Sequence, residues 1–483
     1  MAAALVLLAL ALAGLCASSA YASRTEWSLF EDHPALLGWD DAKRERMLDE
    51  VKALGADTLR VQVKWNEVAP DSGAKTRPVF DATNPAAYPG FARYDDVIRR
   101  ALSKGFRILL TVTGDAPRWA TAGARGGNYK PNPVEYGKFA EAVGKRYSGT
   151  FEGLPKIYYY SIWNEPNHIN FLKPTSQAAR SYRALVDAGI PALRRTAARE
   201  AKIFVGELKP SPAKGMGPGR FIREWLCLDK KFKRLRGRAA RKAGCTHFKR
   251  IDADGFAHHP YGPPLLYPKK ADIININVIR RLAKYLDLAA KAKRIPRHLP
   301  IYNTEFGLQT NPPDIFIGTS PSRQAELINE KEWYSYLYPR LKSYSQYQLF
   351  DDPARPGPPA IKWSGFQTGL RFYNKRKKPA YEAYKLAIVV RILRHKKHRP
   401  GKVQIWGHVR PGSGARYAQL QKRKGRRFVK VGARIKTNSL GYFTVKKPAA
   451  KYRFQAYARK DATSPLELLG TSRTARPRKL ATR

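Results

Sequence analysis

The chain contains few cysteines, three in 483 residues. No cysteine or histidine cluster has the spacing of metal ligands, and the adjacent His258 and His259 are too closely spaced to supply two ligands from one helix face. The sequence therefore predicts no metal catalysis. No glycine-rich phosphate loop follows any early strand, which argues against dinucleotide binding. Beyond the N-terminus, no segment is apolar enough to cross a bilayer.

Acidic residues are also scarce, with 38 against 90 lysines and arginines, so the formal net charge is +52. A charge of this size favours anionic surroundings such as acidic polysaccharide, a cell-wall polymer, phospholipid or nucleic acid. The basic residues are spread through the chain, which is more typical of a solvated surface than of a binding groove. Because no basic zipper or zinc-finger spacing accompanies the charge, we do not expect a nucleic-acid partner.

The first 22 residues predict a secretory signal peptide. Residues 2–15 are almost wholly apolar, and Ala20, Tyr21 and Ala22 form a small-x-small cleavage site before Ser23. A single spanning helix is the alternative, because the usual positively charged start is missing, but the apolar stretch is short for a membrane span. We therefore expect a secreted, extracellular protein, with cell-wall association as a further option.

Helices and short buried strands alternate along the next part of the chain. Residues 43–54 predict a helix that ends at Gly55, and residues 58–63 predict the strand that follows. The same order returns along the chain and gives a count of eight strands. Such an alternation predicts an α/β protein with a parallel sheet, and the count favours a closed (β/α)8 TIM barrel over residues 23–394.

The pattern changes after a predicted last helix at residues 379–393 and a linker at residues 395–402. Short alternating strands separated by turn residues predict a small all-β sandwich over residues 403–471. This region resembles the immunoglobulin-like or fibronectin-like accessory domains of bacterial secreted enzymes. Residues 472–483 are expected to form a basic, disordered tail.

Removal of the signal peptide would leave two cysteines, Cys227 and Cys245. In a secreted protein, two cysteines 18 positions apart predict one disulfide, which is worth about 3 kcal/mol on the chain-entropy model. Two unpaired buried thiols are the alternative. From Lys230 to Arg250 the chain has ten basic residues and no acidic one. We expect the disulfide to hold this cationic loop at the catalytic rim of the barrel.

Two short segments each place a glutamate just past an apolar strand. Ile162 to Asn167 contains Glu165, and Tyr302 to Gly307 contains Glu305. A glycosidase needs two carboxylates from two strand ends, one to protonate the leaving oxygen and one to attack or to activate water. The Asn-Glu-Pro and Thr-Glu-Phe-Gly contexts resemble those of the clan A glycoside hydrolases, whose (β/α)8 barrels carry the acid/base and the nucleophile after strands four and seven.

This resemblance covers roughly residues 27–393 and implies a retaining glycoside hydrolase that acts on a poly- or oligosaccharide without a cofactor. Glu305 would be the nucleophile and Glu165 the acid/base, with their carboxyl groups about 5–5.5 Å apart. At that distance the charge on Glu305 would raise the pKa of Glu165 and keep it protonated. The alternatives are a catalytically inactive carbohydrate-binding barrel and a cationic cell-surface adhesin.

The resemblance also implies roles for five further residues, each with an alternative. Arg60 would hold the nucleophile ionised, or form an ordinary salt bridge. Asn164 would bond the sugar 2-hydroxyl, or cap the following loop. His259 and Tyr261 would line the cleft and hydrogen-bond the nucleophile, or pack in the core. Trp363 would be a platform on which a sugar ring stacks, or a packing residue.

Other strand ends supply further candidates. Glu207, at the end of the predicted fifth strand, is a rival carboxylate, although no motif around it resembles the clan. Trp119 and Trp163 lie near strand ends and are further candidates for stacking. The eighth strand ends in Gln348 to Phe350, which departs from the tryptophan-bearing end usual in the clan.

Overall fold

The computed structural model describes residues 25–263, 265–393, 401–412, 414, 416–461 and 463–480. The predicted signal peptide and most of the predicted linker lie outside these ranges, as do the last three residues. Within the described ranges, no helix combines the length and the apolar composition that a bilayer crossing requires.

Eight parallel strands form the first sheet. They are β1 (Trp27–Glu31), β2 (Thr58–Lys64), β3 (Arg107–Thr113), β4 (Tyr159–Ile162), β5 (Lys202–Leu208), β6 (Gly255–His258), β7 (Ile301–Asn303) and β8 (Ser343–Tyr347). The hydrogen-bonded order is β7-β6-β5-β4-β3-β2-β1-β8, and a parallel bridge from Ile301 to Leu341 links β7 to the segment before β8. The sheet is the predicted TIM barrel, so the carboxyl ends of all eight strands meet at one face.

Helices follow the strands around the barrel. They are α1 (His33–Gly38), α2 (Asp41–Ala53), α3 (Trp65–Val68), α4 (Ala92–Ser103), α5 (Pro133–Arg146), α6 (Ala178–Thr196), α7 (Pro218–Trp225), α8 (Gly237–Lys242), α9 (Ile279–Lys291), α10 (Pro321–Tyr336), α11 (Pro359–Lys362) and α12 (Pro379–Lys385). In α4, Tyr94, Val97, Ile98 and Ala101 are buried. Their spacing is that of one helix face, which packs against the sheet.

The interior of the barrel is apolar at the amino ends of the strands. Leu29, Leu109, Phe204 and Ala257 form a fully buried cluster there, and the ring of Tyr302 stacks on Phe204 with centroids 4.1 Å apart. Most of these side chains come from odd-numbered strands, as is usual for one layer of a barrel core. This filled floor closes the barrel from below and leaves the polar side chains described below at the open, carboxyl end.

The insertion between α7 and β6 contains the predicted disulfide, which joins Cys227 to Cys245. The expectation that it lies at the catalytic rim is wrong. Arg234 donates Nε–H to the carbonyl of Ala292 (2.6 Å), the residue that ends α9, and the Ile251 amide donates to the carbonyl of Arg294 (3.0 Å). Because α9 runs toward the amino end of β7, the cationic loop lies on the flank of the barrel, away from the strand ends that carry the glutamates.

The C-terminal region is confirmed as antiparallel β-structure. Its strands are β9 (Leu386–Ile392), β10 (Lys402–Val409), β11 (Arg416–Lys424), β12 (Arg427–Lys430), β13 (Ile435–Lys436), β14 (Tyr442–Pro448), β15 (Tyr452–Ala458) and β16 (Glu467–Thr471). One sheet has the order β14-β10-β9, and the other β12-β11-β15-β16 with β13 beside β11. Ile388, Ile405, Leu420 and Phe454 belong to one buried core shared by the two sheets.

The predicted last barrel helix, residues 379–393, is half strand. Helix α12 ends at Lys385, and the next residue begins β9, which pairs antiparallel with β10. Four of the seven β9 residues are β-branched, and such side chains favour a pleated, half-buried strand over a helix. The C-terminal sheets therefore begin at Leu386, before the predicted linker.

Residues 472–480 of the expected tail are ordered. Ala475 and Tyr452 exchange two backbone hydrogen bonds of 2.7 and 2.9 Å. Arg473 donates Nε–H to Asn329 (3.0 Å), and Arg478 forms a 3.0 Å ion pair with Glu330. This segment therefore contacts both β15 and α10, because its basic side chains find polar partners on the barrel.

Glu26 lies buried where β1 meets the C-terminal sheets. Its carboxylate accepts hydrogen bonds from the hydroxyls of Ser335 and Tyr442. Beside it, Arg410 forms a 2.7 Å ion pair with Glu332. Burial, aided by the charge of Glu332, raises the pKa of Glu26 from 4.5 to about 8, so this carboxyl is protonated at neutral pH.

We predict that Glu26→Gln reduces the loss of stability on going from pH 5 to pH 8. Because the pKa of Glu26 is higher in the folded than in the unfolded chain, its contribution is fully present below about pH 4.5 and is lost as the pH rises to about 8. Within that window, the contribution of Glu26 to the free energy of unfolding should fall by about 1.4 kcal/mol per pH unit. Thermal unfolding measured across the pH range gives this slope. The exposed Glu382→Gln serves as control, and identical slopes for wild type and Glu26→Gln would contradict the prediction.

Candidate active site

Glu165 and Glu305 meet at the carboxyl end of the barrel. Glu165 lies three residues past β4, and Glu305 two residues past β7. One carboxylate oxygen of each and a ring nitrogen of His259 all lie within 4.8 Å of one another. The two predicted glutamates are thus neighbours in space although 140 residues separate them in the chain.

The backbone at these strand ends adopts a conformation that side chains rarely allow. Trp163 and Glu165 have φ of +63° and +38°, and Glu207, at the end of β5, has +48°. Each non-glycine residue held in this left-handed region costs about 1–3 kcal/mol. The amide of Glu165 donates to the carbonyl of Glu207 (3.0 Å), so the two turns support each other. Strain of this kind is typical of functional sites.

Arg60, on β2, is fully buried and bonded to several of the surrounding polar groups. One terminal nitrogen donates to Glu31 (2.7 Å) and to Glu305 (3.0 Å), and the other donates to Asn164 (2.8 Å). The second nitrogen also lies 3.3 Å from Glu207. The structure thus puts Arg60 beside the predicted nucleophile, and also makes it the partner of two further carboxylates.

His259 is fixed between two carboxylates. Its Nδ1 lies 2.9 Å from Glu165 Oε1, and its Nε2 lies 2.7 Å from Glu207 Oε2. Burial alone would lower its pKa, but the charge of Glu305 and the hydrogen bonds to Glu165 and Glu207 outweigh burial and raise the pKa to about 10. His259 is therefore not a neutral core histidine, and both of its ring nitrogens donate hydrogen bonds.

The distances among Glu165, His259 and Glu305 would also suit a cation. A metal ligand must be a neutral imidazole with a free lone pair. Each ring nitrogen of His259 instead lies within hydrogen-bonding distance of a carboxylate, and its raised pKa favours a proton on both nitrogens. A protonated imidazole offers no lone pair, so this arrangement disfavours a metal ion.

Glu207 is a third carboxylate behind the pair. Its Oε2 accepts hydrogen bonds from His259 and from the hydroxyl of Thr304 (2.6 Å). Although burial raises its pKa, the charge of Arg60 and the bond to His259 dominate and lower it to about 2. Its side chain is fully buried, so it cannot reach a substrate. Glu207, the rival candidate carboxylate of the sequence analysis, is thus an ionised hydrogen-bond partner of His259.

The pKa order of the glutamate pair is the reverse of the expected one. Burial raises the pKa of Glu305 to about 7, against the opposing charges of His259 and Arg60. The pKa of Glu165 is lowered, because the hydrogen bond and charge of His259 outweigh its burial. The expectation leaves out His259, whose Nδ1 lies 2.9 Å from Glu165 and 3.5 Å from Glu305 and whose raised pKa favours holding the proton that was expected on Glu165.

Tyr261, three residues past β6, reaches the other oxygen of Glu305. Its hydroxyl donates to Oε1 (2.9 Å), whereas Arg60 donates to Oε2. The ring of Tyr261 packs beside Phe306 and Phe366, with centroids 6.2 and 5.9 Å away. Tyr261 is therefore oriented by aromatic contacts and bonded to the predicted nucleophile.

The predicted tryptophan platforms lie elsewhere. Trp363 is half-buried at the end of α11, with the ammonium of Lys362 5.4 Å from its ring, and it is not among the described residues that line the clefts below. Trp119 and Trp163 belong to the core behind the strand ends. Phe366, three residues after Trp363, lies beside Tyr261 instead. A sequence analysis restricted to tryptophans could not identify Phe366.

The described residues line at least two clefts at the carboxyl end of the barrel. The first, of about 440 Å³, includes Glu165, Tyr261 and Phe366 in its lining, and we call it the apolar cleft. The second, of about 620 Å³, lies beside the ends of β8 and β1 and includes Trp39 and Phe350, whose rings are 5.2 Å apart. Sequence reasoning missed these aromatic residues because they lie in loops without a recognisable motif.

Sequence reasoning also missed Glu31, the last residue of β1. Its carboxylate accepts from Arg60 (2.7 Å) and from the side-chain amide of Gln62 (2.6 Å). An acidic residue at the end of an otherwise apolar strand was a usable signal, since that is also the position from which the two glutamates were recognised.

Comparison with known proteins identifies the family and agrees with the fold. The model of the cellulases, glycosyl hydrolase family 5, matches residues 19–337. A monomeric β-xylosidase from Caulobacter crescentus is 15% identical, with 89% of this chain and 94% of that one covered and a TM-score of 0.52. A glucosidase from Croceicoccus marinus is 11% identical over the same shares, with a TM-score of 0.51. At these identities the two structures support the fold alone. No curated protein matches the chain.

Proposed function

The chain belongs to the cellulase family, glycosyl hydrolase family 5, and we propose that it is a retaining glycosidase with Glu305 as nucleophile and Glu165 as acid/base. As a glycoside hydrolase, it cleaves O-glycosyl bonds. The observation that carries the mechanism is the distance between the two carboxylates, since one oxygen of Glu165 lies within 4.8 Å of one oxygen of Glu305. A retaining enzyme needs such a short distance, whereas an inverting one leaves about 6.5–9.5 Å for a water molecule.

In the first step, Glu305 attacks the anomeric carbon while Glu165 delivers a proton to the leaving oxygen. The hydrogen bonds from Arg60 and Tyr261, one to each oxygen of Glu305, favour the charged form that attacks. In the second step, Glu165 takes a proton from water as the water oxygen displaces Glu305 from the sugar. Each step forms one bond at the anomeric carbon and breaks one.

The proton for the first step comes from the hydrogen bond between His259 and Glu165. Transfer along this 2.9 Å bond turns charged His259 and ionised Glu165 into neutral His259 and protonated Glu165, without adding a proton. Glu207 keeps the proton on the other ring nitrogen and is therefore a positioning residue. Asn164, whose side-chain oxygen accepts a hydrogen bond from Arg60, would donate a hydrogen bond from its NH₂ group to the sugar 2-hydroxyl.

The competing function is a non-catalytic one, in which the barrel binds carbohydrate or serves as a cationic adhesin. Loss of catalysis would remove any constraint to keep both glutamates, the Arg60 contact and the strained turns together. Their joint presence supports an enzyme.

We predict that Glu305→Gln abolishes turnover, because an amide cannot attack the anomeric carbon. Glu165→Ala should lower kcat/KM about 10²- to 10⁴-fold, and azide should partly restore the hydrolysis of aryl glycosides with good leaving groups. Steady-state kinetics on aryl glycosides tests both variants, with the exposed Glu467→Gln as control. An active Glu305→Gln enzyme would rule out the nucleophile assignment.

We predict a bell-shaped pH dependence of kcat/KM. Activity should rise as the pH passes about 7, because Glu305 attacks only when ionised, and fall toward about pH 10, as the proton shared by His259 and Glu165 is lost. The Glu207→Gln variant removes one hydrogen-bond partner of His259, which lowers the pKa of His259. The alkaline limb of its kcat/KM profile should therefore move down by roughly one to three pH units. An acidic limb near pH 4 with an unmoved alkaline limb would contradict this arrangement of protons.

We propose that the protein acts outside the cell and that its catalytic cleft takes an uncharged glycoside. The predicted signal peptide supports secretion. Lys209 is the single lysine or arginine among the described residues that line the apolar cleft, and its ammonium donates to the carbonyl of Ala213. The large net charge therefore has no counterpart at the cleft that contains Glu165.

An anionic glycan or cell-wall polymer would bind the flank instead. A pocket of about 400 Å³ on the disulfide-linked insertion includes Arg234, Arg236, Arg241 and Arg294 in its lining. Among the described residues, none of the ten basic side chains from 230 to 250 forms a salt bridge. Guanidinium groups without a carboxylate partner around a concave surface suit carboxylate or phosphate groups, which they bind in a bidentate manner.

We predict that Arg236→Gln/Arg241→Gln weakens binding of polygalacturonate at least fivefold, because the pocket loses two unpaired charges. Fluorescence anisotropy of the labelled polymer measures the affinity, which should also fall steeply with salt, since exposed charges are screened over about 8–10 Å. The matched control is Arg426→Gln/Arg427→Gln in the C-terminal sheets. Equal weakening in both variants would mean that total charge, not the pocket, binds the polymer.

A further inference from the structure

Two neighbouring loops at the catalytic face expose large apolar side chains. One loop follows β6 and the other follows β7. The side chains, which we call the apolar rim, are between 42% and 71% exposed and belong to Leu265, Leu266, Tyr267, Ile315, Phe316 and Ile317. Single exposed apolar residues are ordinary, but a group of them beside a cleft marks a binding surface.

Buried polar side chains hold the rim in place. Asp314, which is almost fully buried, accepts hydrogen bonds from the amides of Phe316 (2.8 Å) and Ile317 (3.3 Å). The side-chain amide of Asn275, also buried, donates to the carbonyl of Leu266 (2.9 Å). The apolar groups are thus fixed at the surface, which lowers the entropy that a ligand must remove on binding.

The rim continues into the apolar cleft. Leu266 and Ile317 belong both to the rim and to the cleft lining, which also includes Ile273 and Leu308. Glu165 lines this cleft, whereas Glu305 is not among its described lining residues. In the proposed mechanism Glu165 protonates the leaving oxygen, so the group that leaves lies on the side of Glu165.

Two polar side chains of the cleft, those of Gln309 and Thr368, are already bonded within the protein. The side chain of Gln309 pairs with the backbone of Gly365 and Gln367, and the hydroxyl of Thr368 donates to the carbonyl of Tyr347 (2.5 Å). A second sugar unit would bring several hydroxyls that need new partners, and an unpaired buried hydroxyl is unfavourable. An alkyl or aryl group has no hydroxyls and needs no hydrogen-bond partners.

We propose that the apolar cleft is the leaving-group subsite and that the substrate is a glycoside with an apolar, alkyl or aryl, aglycone. This inference rests on the proposed function, because it uses Glu165 as the acid. It goes further by replacing a polysaccharide as the preferred substrate with an amphiphilic glycoside. The sugar would bind at the glutamate pair, and the apolar group would extend past Leu266 and Ile317 to the rim.

The test uses alkyl glycosides of one sugar. A screen of p-nitrophenyl glycosides first identifies the sugar, and the methyl to octyl glycosides of that sugar are then compared below their micelle-forming concentrations. We expect kcat/KM to rise about fourfold for each methylene that enters the cleft, the factor that burial of a methylene gives. The octyl glycoside should also exceed the disaccharide of the same sugar.

Two double variants test whether the apolar cleft causes the dependence of kcat/KM on chain length. In Leu266→Ser/Ile317→Ser the ratio of octyl to methyl kcat/KM should fall at least tenfold, because two apolar side chains leave the path of the chain. The matched control, Val429→Ser/Leu468→Ser, removes two exposed apolar side chains from the C-terminal sheets and should keep the wild-type ratio. An equal fall in the control would overturn the assignment of the cleft.

The outcomes separate this inference from the proposed function. Hydrolysis of the aryl glycosides with no dependence on chain length would overturn the apolar aglycone and leave the retaining glycosidase intact. A disaccharide preferred over the octyl glycoside would do the same. A dependence that appears only on vesicles of phosphatidylglycerol and phosphatidylcholine would assign the rim to a lipid surface and likewise overturn the subsite. No hydrolysis of any aryl glycoside would count against the proposed function itself.

Discussion

One buried guanidinium group, that of Arg60, holds the open end of the barrel together. It contacts Glu31, Glu207 and Glu305 at 2.7–3.3 Å. Carboxylates taken out of water are strongly unfavourable unless a cation and hydrogen bonds compensate them, so these three strand ends can converge only because Arg60 lies among them. The apolar floor beneath and the helices around the sheet supply the packing that keeps Arg60 on β2 pointing inward.

The charge balance of this site decides where its protons reside. Arg60 and His259 supply two positive charges, whereas Glu31, Glu165, Glu207 and Glu305 supply four negative ones when all are ionised. Burial, aided by the charges of Glu31 and Glu165, raises the pKa of Glu305 to about 7. The charges of His259 and Arg60 act in the opposite direction but do not outweigh burial. In the proposed retaining mechanism, His259 rather than repulsion between the two glutamates keeps a proton available to Glu165.

The parts of the structure that local pattern determines could be predicted from the sequence. Helix and strand periods gave the barrel, and motifs at strand ends gave Glu165 and Glu305. What failed depends on contacts between distant segments. Residues 386–392 carry a local β-branched signal, but they form a strand in a second domain because β10 pairs with them. The reversed pKa order comes from His259 lying close to glutamates that belong to other strands, and the flank position of the disulfide-linked loop comes from its hydrogen bonds to residues 292 and 294.

The direct passage from α12 into β9 has a consequence for how this protein can change during evolution. The C-terminal sheets are not a cassette joined at residues 395–402, because the last strand before that point is already part of them. A recombination event there would leave β9 on the barrel as an unpaired edge, which invites aggregation. It would also remove the contacts that residues 472–480 make with α10. The catalytic barrel and its β-structure are therefore expected to be inherited together, and exchange of the C-terminal region between enzymes would have to occur at Leu386.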